Sequence, residues 1–317
     1  MEKYVYVVIL AFVVSWLACK SLIPILKKLK AGQNILSYVK EHESKSGTPT
    51  MGGIAFLLAT IVVALLFVEK YERVFVLSIV IGLSYMIVGL LDDYLKQKHK
   101  ENLGLRAWQK LLFQTLIAIF AAWYCYRADL TVLYLPFINK SINLGLWILP
   151  LSIFIFLATV NAVNLTDGLD GLAAGTCVPF FAAFGILILL QGGAQSLSVV
   201  AFSLTGALLG YLLFNVYPAS VFMGDTGSLS LGGFVGCIAL FSGNALYVLI
   251  IGACFVLSVI SVIIQVIYYK ATGGKRVFLM APFHHHLQKK GHSEGYISYL
   301  YAVITLLLGC LCLASVL

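Results

Sequence analysis

Acidic residues stand beside the ends of long apolar runs at several points of this chain, where they could bind a cation next to phosphate groups. Asp92 and Asp93 follow the third apolar run. We expect them at the C-terminal end of a helix, where the helix dipole and their mutual repulsion disfavour two anions unless a cation or a proton compensates. The pattern favours a functional role. The alternative is that Lys96, Lys98 and Lys110 neutralise an acidic pair that has no catalytic part.

A second group of polar residues follows the fifth apolar run, in NAVNLTDGLDGL. Asn161, Asn164, Asp167 and Asp170 recur at intervals of three, which would align them along one side of a tight helical turn. The glycines of this segment leave the backbone open to a ligand, and carboxylates that emerge from an apolar span are costly without compensation. The alternative is an ordinary interfacial turn, which Asn and Asp also favour.

Asp225 lies in MGDTGS, just before an apolar run that predicts a helix. Amide groups at a glycine-flanked helix N-terminus suit phosphate oxygens, and Asp225 adds the hard oxygen ligand that Mg²⁺ uses beside substrate phosphates. The segment contains neither a Walker A motif nor a dinucleotide fingerprint. The alternative is that Asp225 is an ordinary N-cap.

Three consecutive histidines, His284 to His286, lie in the last basic segment. Consecutive side chains do not all face one way, so the triplet alone is a poor zinc site. Hydrogen bonding to phosphate, or acid-base work near neutral pH, fits histidine better. The alternative is a basic loop beside lipid headgroups.

The segments that position these residues are those of an integral membrane protein. Of 317 residues, 61% are hydrophobic and 11% charged, against about 45–50% and about 25% in soluble domains. A membrane span needs about 20 apolar residues. Ten runs qualify, centred in 4–22, 51–68, 74–91, 108–126, 147–163, 172–190, 197–214, 229–242, 245–269 and 297–316. We predict an all-α polytopic protein with one domain over 1–317, membrane lipids around it and no nucleic-acid partner.

The distribution of charge predicts the orientation. Loops 20–50, 92–110 and 270–296 hold 16 Lys and Arg residues, and the opposite face holds five. The positive-inside rule then places both termini outside and the five polar loops, with the active site, in the cytoplasm. On the outer face, the alternation in segment 129–146 favours a β-hairpin. The seven cysteines, which include no C-x-x-C pair, are interpreted as buried apolar side chains rather than disulfides or metal ligands.

Five motifs run through the chain in order: PTMGG at 49–53, LLDDY at 90–94, NLTDGLDGL at 164–172, FMGDTGSL at 222–229 and MAPFHHH at 280–286. Together they closely resemble those of the phospho-N-acetylmuramoyl-pentapeptide transferase family, within the polyprenyl-phosphate N-acetylhexosamine-1-phosphate transferases. Each motif alone is weak, whereas all five, in order and on one predicted face, are specific.

The resemblance implies Mg²⁺-dependent transfer of phospho-MurNAc-pentapeptide from UDP-MurNAc-pentapeptide to undecaprenyl phosphate in the bacterial cytoplasmic membrane, giving lipid I and UMP. It also suggests a homodimer. By position it implies catalytic roles for Asp92, Asp93, Asp225, His284 and Lys110, with Asp225 as the Mg²⁺ ligand. It implies substrate-binding roles, with Phe222 stacking on uracil, for Lys45, Thr50, Asn164, Asp167, Gly168, Leu169, Asp170, Asn215, Phe222, Gln265 and His285.

Two departures from the family pattern fall in the last loop, where an acid is expected near Gln288 and a tryptophan near His292. Two mechanisms fit the chemistry. In one, the lipid phosphate attacks directly while Asp92 or Asp93 accepts its proton or holds it in line; in the other, an aspartyl-phosphate forms first.

Two other functions compete with this interpretation. A related transferase for UDP-N-acetylglucosamine would share the acids, but MAPFHHH argues against it. An ion-coupled transporter would also be a Gly-rich bundle, yet transporters place their coupling residues near the midplane, whereas the acids here are predicted at span ends and in loops.

Overall fold

The computed structural model describes residues 2–29, 47–99, 104–138 and 140–317. Lys45, predicted to bind substrate, lies outside these ranges. The described chain is mostly helical, and the helices are α1 Glu2–Lys28, α2 Gly53–Phe67, α3 Arg73–His99, α4 Ala107–Arg127, α5 Ile148–Thr166, α6 Leu172–Leu190, α7 Gln195–Asn215, α8 Gly224–Phe241, α9 Val248–Ile251, α10 Ala253–Ala271, α11 Phe283–Lys289 and α12 Glu294–Ala314.

Within these ranges, eight helices are long and apolar enough to cross a membrane: α1, α3, α5, α6, α7, α8, α10 and α12. The prediction of a multi-pass helical protein is confirmed to that extent. The other two predicted spans correspond to α2, an apolar helix of 15 residues, and to α4, which has 21 residues.

α8 lies at the centre of the bundle, packed between α3 and α5. Its glycines allow this closeness: Gly232 abuts the backbone of Val160 in α5, and Gly233 abuts the ring of Tyr85 in α3. Small residues at such contacts are typical of helix association in bilayers, because they let helices approach closely. The core of the protein therefore forms around the helix that carries Asp225.

The remaining helices surround this centre. α7 packs against α1, α2 and α6, and α12 packs against α6. α10 contacts mainly α5, and much of its surface is exposed and apolar, including Ile263, Ile264 and Ile267. An apolar helix face of this kind suits contact with lipid.

The predicted hairpin is confirmed. Strands β1 (Val132–Leu135) and β2 (Lys140–Asn143) pair antiparallel, with Leu133 opposite Ile142. The hairpin is joined to the bundle where the Tyr134 amide donates to the Gly243 carbonyl.

Three predicted helix boundaries were wrong. α3 does not end before Asp92 and Asp93 but continues to His99, so neither acid lies at a helix C-terminus. α8 begins at Gly224, which places Asp225 inside its first turn, and its N-cap is Met223. The ninth apolar run is not one helix, because the chain breaks at Gly252 between α9 and α10.

Candidate active site

Asp92 and Asp93 of α3 meet Asp225 of α8, and one carboxylate oxygen from each lies within 4.8 Å of the others. Glycine makes this possible, because a Cβ on Gly89 would overlap the Asp225 carbonyl. The two helices therefore cross closely enough, one turn before the acids of α3, to bring all three carboxylates together. We call Asp92, Asp93 and Asp225 the acidic cluster.

The Asp93 carboxylate holds the N-terminus of α8. Its Oδ1 accepts from the Asp225 amide at 3.1 Å, and its Oδ2 accepts from the Thr226 amide at 3.0 Å and hydroxyl at 2.7 Å. The first amides of a helix have no intrahelical acceptor and attract anions. Gly224, with a φ of +69°, packs so closely against this carboxylate that a side chain would collide with it. Asp93 thus fixes the position of Asp225.

Asp92 and Asp225 share Lys96 as a partner. Asp92 is buried; its Oδ1 accepts from the Leu105 amide at 2.7 Å, and its Oδ2 lies 2.6 Å from Lys96 Nζ. Asp225 Oδ2 accepts from Lys96 Nζ at 2.9 Å and from Lys110 Nζ at 2.8 Å. The two lysine ammonium groups therefore offset part of the negative charge of the three carboxylates.

Residues of α5 complete one side of the cluster. Asn164 Nδ2 donates to Asp225 Oδ1 at 2.7 Å and to Ser228 Oγ at 2.9 Å. Asn161 instead donates to Gln114 Oε1 at 2.8 Å. α5 ends at Thr166, so the predicted stack of four Asn and Asp residues along one helical side does not form.

The first and fourth motifs lie against each other beside the acidic cluster. The Phe222 amide donates to the Pro49 carbonyl, and the Phe222 carbonyl accepts from the Gly52 amide, both at 2.8 Å. Thr50 Oγ1 lies against Gly224, at the start of α8. The Phe222 side chain is half-buried. Two predicted substrate residues, Thr50 and Phe222, are thereby placed next to Asp225.

The NLTDGLDGL segment is anchored by its last acid. Asp170 Oδ2 accepts from the Ala219 amide at 2.9 Å, and the Asp170 amide donates to Glu294 Oε2 at 3.0 Å. The buried Asn215 side chain joins two loops, since it accepts from the Gly171 amide at 3.2 Å and donates to the Val221 carbonyl at 2.9 Å. Leu169 is buried in a small apolar cluster that includes Tyr301.

Asp167 caps the C-terminus of α5 and is half-buried. Burial, and then the charges of Asp225, Asp93 and Asp170, hold the pKa of its carboxyl well above the usual range. Within the described residues its carboxylate makes no ion pair. Asp167 therefore lies within the electrostatic reach of the acidic cluster and favours a proton or a hydrogen-bond donor.

The three histidines face different environments, as predicted. His284 is fully buried beside Gly168, and neither ring nitrogen has a hydrogen-bond partner in the described chain. Burial, and secondarily His285, lowers its pKa to about 3. A neutral His284 can form hydrogen bonds but is a weak base at pH 7. This argues against general acid-base catalysis by His284. His285 Nδ1 lies 3.1 Å from Gln288 Oε1, and His286 Nδ1 accepts from the Leu279 amide.

Gln265 of α10 holds the segment that leads to the histidines. Its Oε1 accepts from the amides of Val277 and Phe278, at 3.1 and 3.0 Å, and its Nε2 donates to the Phe278 carbonyl. It also lines a cavity of about 550 Å³ with basic side chains around it, including Lys270, Arg276 and Lys289.

The structure therefore brings the predicted residues together in two adjoining groups. The first contains Asp92, Asp93, Lys110, Asn164 and Asp225, with Thr50 and Phe222 beside it. The second contains Gly168, His284 and His285. Asn215 and Gln265 bond to backbone groups of neighbouring loops.

The sequence interpretation gave no part in the site to two residues at the acidic cluster. Lys96 was considered only as a neutralising charge, although its position four residues after Asp92 predicts an ion pair on one helix face. Thr226, which completes the hydrogen bonding of Asp93, has no comparable signal, because the contact joins residues far apart in the chain.

Comparisons with known proteins show the family to which the chain belongs. The family model described as Glycosyl transferase family 4 matches residues 74–243, and the phospho-N-acetylmuramoyl-pentapeptide-transferase signature 1 matches residues 45–57. Proteins named phospho-N-acetylmuramoyl-pentapeptide-transferase are similar over most of their length. The protein of Clostridium botulinum (strain Eklund 17B / Type B) is 45% identical over 90% of this chain and 88% of its own.

Two further relatives carry the same name. The Clostridium beijerinckii protein is 44% identical over 97% of this chain and 94% of its own. The Caldanaerobacter subterraneus subsp. tengcongensis protein is 42% identical over 96% of each. Because relatives of this name are 42–45% identical over most of both chains, this chain belongs to the phospho-N-acetylmuramoyl-pentapeptide-transferase family.

Proposed function

We propose that the protein transfers phospho-MurNAc-pentapeptide from UDP-MurNAc-pentapeptide to undecaprenyl phosphate, giving lipid I and UMP in peptidoglycan synthesis. One observation carries the assignment to this site. The acidic cluster, its two lysines and the Thr50–Phe222 segment converge at the N-terminus of α8. Lysines bind phosphate groups, and carboxylates bind the cation that accompanies them, whereas the first amides of α8 are already bonded to Asp93.

The cluster fits a magnesium ion. Its three carboxylates offer hard oxygen ligands within 4.8 Å of one another, and the two ammonium groups already present show that the cluster attracts cations. Asp225 is the ligand we assign first, because Asp92 and Asp93 each accept from backbone amides, whereas the partners of the Asp225 carboxylate are side chains that can move. A bound Mg²⁺ would neutralise the diphosphate and stabilise the charge that develops on the leaving group.

The residues of the acidic cluster and Lys110 would have different roles in the phosphoryl transfer. An oxygen of the lipid phosphate bonds to the sugar-linked phosphorus of the donor, and the bond from that phosphorus to the oxygen of UMP breaks. The Asp93 carboxylate already accepts three hydrogen bonds from the first turn of α8. We therefore assign to Asp92 the task of accepting a proton from the lipid phosphate or holding it in line, and to Lys110 a contact with phosphate oxygens. The direct attack needs no covalent step on the protein.

The donor's nucleotide is expected beside Phe222, whose half-buried ring offers a face for uracil. We expect Thr50, Asn164, Asp167 and Gly168 to border it. The pocket would be lined or supported by the other predicted substrate residues that the structure describes: Leu169, Asp170, Asn215, Gln265 and His285. His284, neutral and without a partner in the described chain, is placed to donate or accept one hydrogen bond near Gly168.

The proposed topology has ten spans, including α2 and α4, with both termini outside. The 16 to five division of basic residues supports it, since the segments that form the site belong to the basic face. The active site then faces the cytoplasm, where nucleotide-linked sugars are available. We also propose a homodimer in the bacterial cytoplasmic membrane, on family resemblance alone.

The test is release of UMP by the purified protein with undecaprenyl phosphate and Mg²⁺. We expect turnover with UDP-MurNAc-pentapeptide and none with UDP-N-acetylglucosamine. Preference for UDP-N-acetylglucosamine would reassign the donor, and no UMP from either sugar would refute the activity.

A further inference from the structure

Lys96 occupies the space between two acids of the acidic cluster. Its Nζ lies 2.6 Å from Asp92 Oδ2 and 2.9 Å from Asp225 Oδ2, whereas among the described residues Lys110 Nζ forms an ion pair with Asp225 alone, at 2.8 Å. Lys96 and Asp92 are one turn apart on α3. The ammonium group therefore bridges the carboxylates of two different helices.

A divalent cation shared by Asp92 and Asp225 needs the same place. Mg²⁺ binds oxygen at about 2.0–2.1 Å and tolerates little departure from its preferred geometry. Because Lys96 Nζ already lies within 2.9 Å of both oxygens, an ion held by them would compete with the ammonium group for this space, and the two positive charges would repel each other. Lys110 does not bridge two carboxylates in the described chain, so it need not move when the ion binds.

We propose that Lys96 is a positioning residue that closes the metal site while it is empty and leaves when the divalent cation binds. Its side chain is about twice as exposed as that of Lys110, 36% against 19%, so it has room to move outward. The displaced ammonium group then needs a new anion, and the donor's diphosphate supplies one. This inference rests on the proposed function and makes metal and donor binding cooperative.

Manganese binding, measured by electron paramagnetic resonance without substrate, tests the exchange. Lys96→Gln should bind Mn²⁺ about tenfold more tightly than the wild type, an effect of the size that neighbouring groups have on metal affinity. Lys98→Gln, which alters an exposed lysine two residues along α3, is the matched control and should bind as the wild type does. Unchanged or weaker binding by Lys96→Gln would overturn the proposal.

Removing any nearby positive charge could strengthen cation binding, so a second measurement must detect the movement of the Lys96 side chain directly. Amine labelling of the wild-type protein, read by mass spectrometry, should show Lys96 reacting severalfold faster when Mg²⁺ is added, while Lys110 and Lys98 change little. Adding the UDP-sugar should slow the labelling of Lys96 again. A rate at Lys96 that does not respond to Mg²⁺ would refute displacement, whether or not the variants fold.

Asp225→Asn separates this proposal from the proposed function. If that variant binds Mn²⁺ as well as the wild type, the metal site itself is wrongly assigned. If it loses Mn²⁺ while Lys96 shows neither effect, the metal site stands and only the exchange is wrong.

Discussion

Replacing Asp93 should destabilise the protein more than replacing Asp225, although the two residues belong to one cluster. The Asp93 carboxylate, 4% exposed, accepts three hydrogen bonds from the first turn of α8. Asp93→Ala removes all three and leaves the Asp225 amide and the buried Thr226 amide without this acceptor. Hydrogen bonds to a charged group contribute roughly 1.5–3 kcal/mol each, and since these share one carboxylate we expect a total loss of roughly 3–5 kcal/mol.

The assay is thermal unfolding of the purified variants in detergent. Asp93→Ala should lower the unfolding midpoint by roughly 5–10 °C. Thr226→Val deletes only the hydroxyl bond and should lose roughly 0.5–1.5 kcal/mol. Asp225→Asn keeps an oxygen for Asn164 but loses the ion pairs with Lys96 and Lys110, two partly exposed lysines, so it should lose less stability than Asp93→Ala. If Asp93→Ala has the same unfolding midpoint as the wild type, Asp93 does not hold α8 and its assigned role is wrong.

Three further outcomes follow from the same geometry. In intact cells, a membrane-impermeant thiol reagent should label a cysteine introduced at Lys140 and not one at Lys98; the opposite result reverses the topology. Phe222→Ala should lose roughly 1–3 kcal/mol of stacking and raise the donor's KM roughly five- to hundredfold, so an unchanged KM would remove Phe222 from the uracil site. The raised pKa of Asp167 means that folding favours its proton, so the contribution of this group to stability falls as pH rises above about 4. Asp167→Asn should therefore have a higher unfolding midpoint than the wild type at pH 7.5 and nearly the same midpoint at pH 4.5. Equal midpoints at both pH values would contradict the burial of the Asp167 carboxylate.

Hydropathy located the long helices, because each has an apolar run that a bilayer or a protein core must cover. It failed where polar residues continue a helix. α3 was expected to stop before Asp92, yet an ion pair from Asp92 to Lys96, one turn further on, supports the helix to His99. The helical start at Gly224 was missed for a similar reason, since its first turn is stabilised by Asp93 from another helix.

The members of the site could be named from the motifs, but their contacts could not. The pairing of Pro49 and Gly52 with Phe222 joins segments far apart in sequence and has no local signal. The burial of His284 beside Gly168 likewise depends on how α11 packs near the end of α5, so histidine composition alone suggested acid-base chemistry that a pKa of about 3 does not support.

The difference between Asp92 and Asp93 has a simple geometric origin that adjacency in the sequence conceals. Successive residues of a helix point about 100° apart. Asp93 is directed at the amides that begin α8, while Asp92 is directed at Lys96 and the Leu105 amide. Asp93 is thereby bonded to the first turn of α8, whereas Asp92 also meets the Lys96 ammonium group, which we propose that a metal displaces. Two neighbouring carboxylates thus acquire a structural and a chemical role, because only one of them has a partner that can leave.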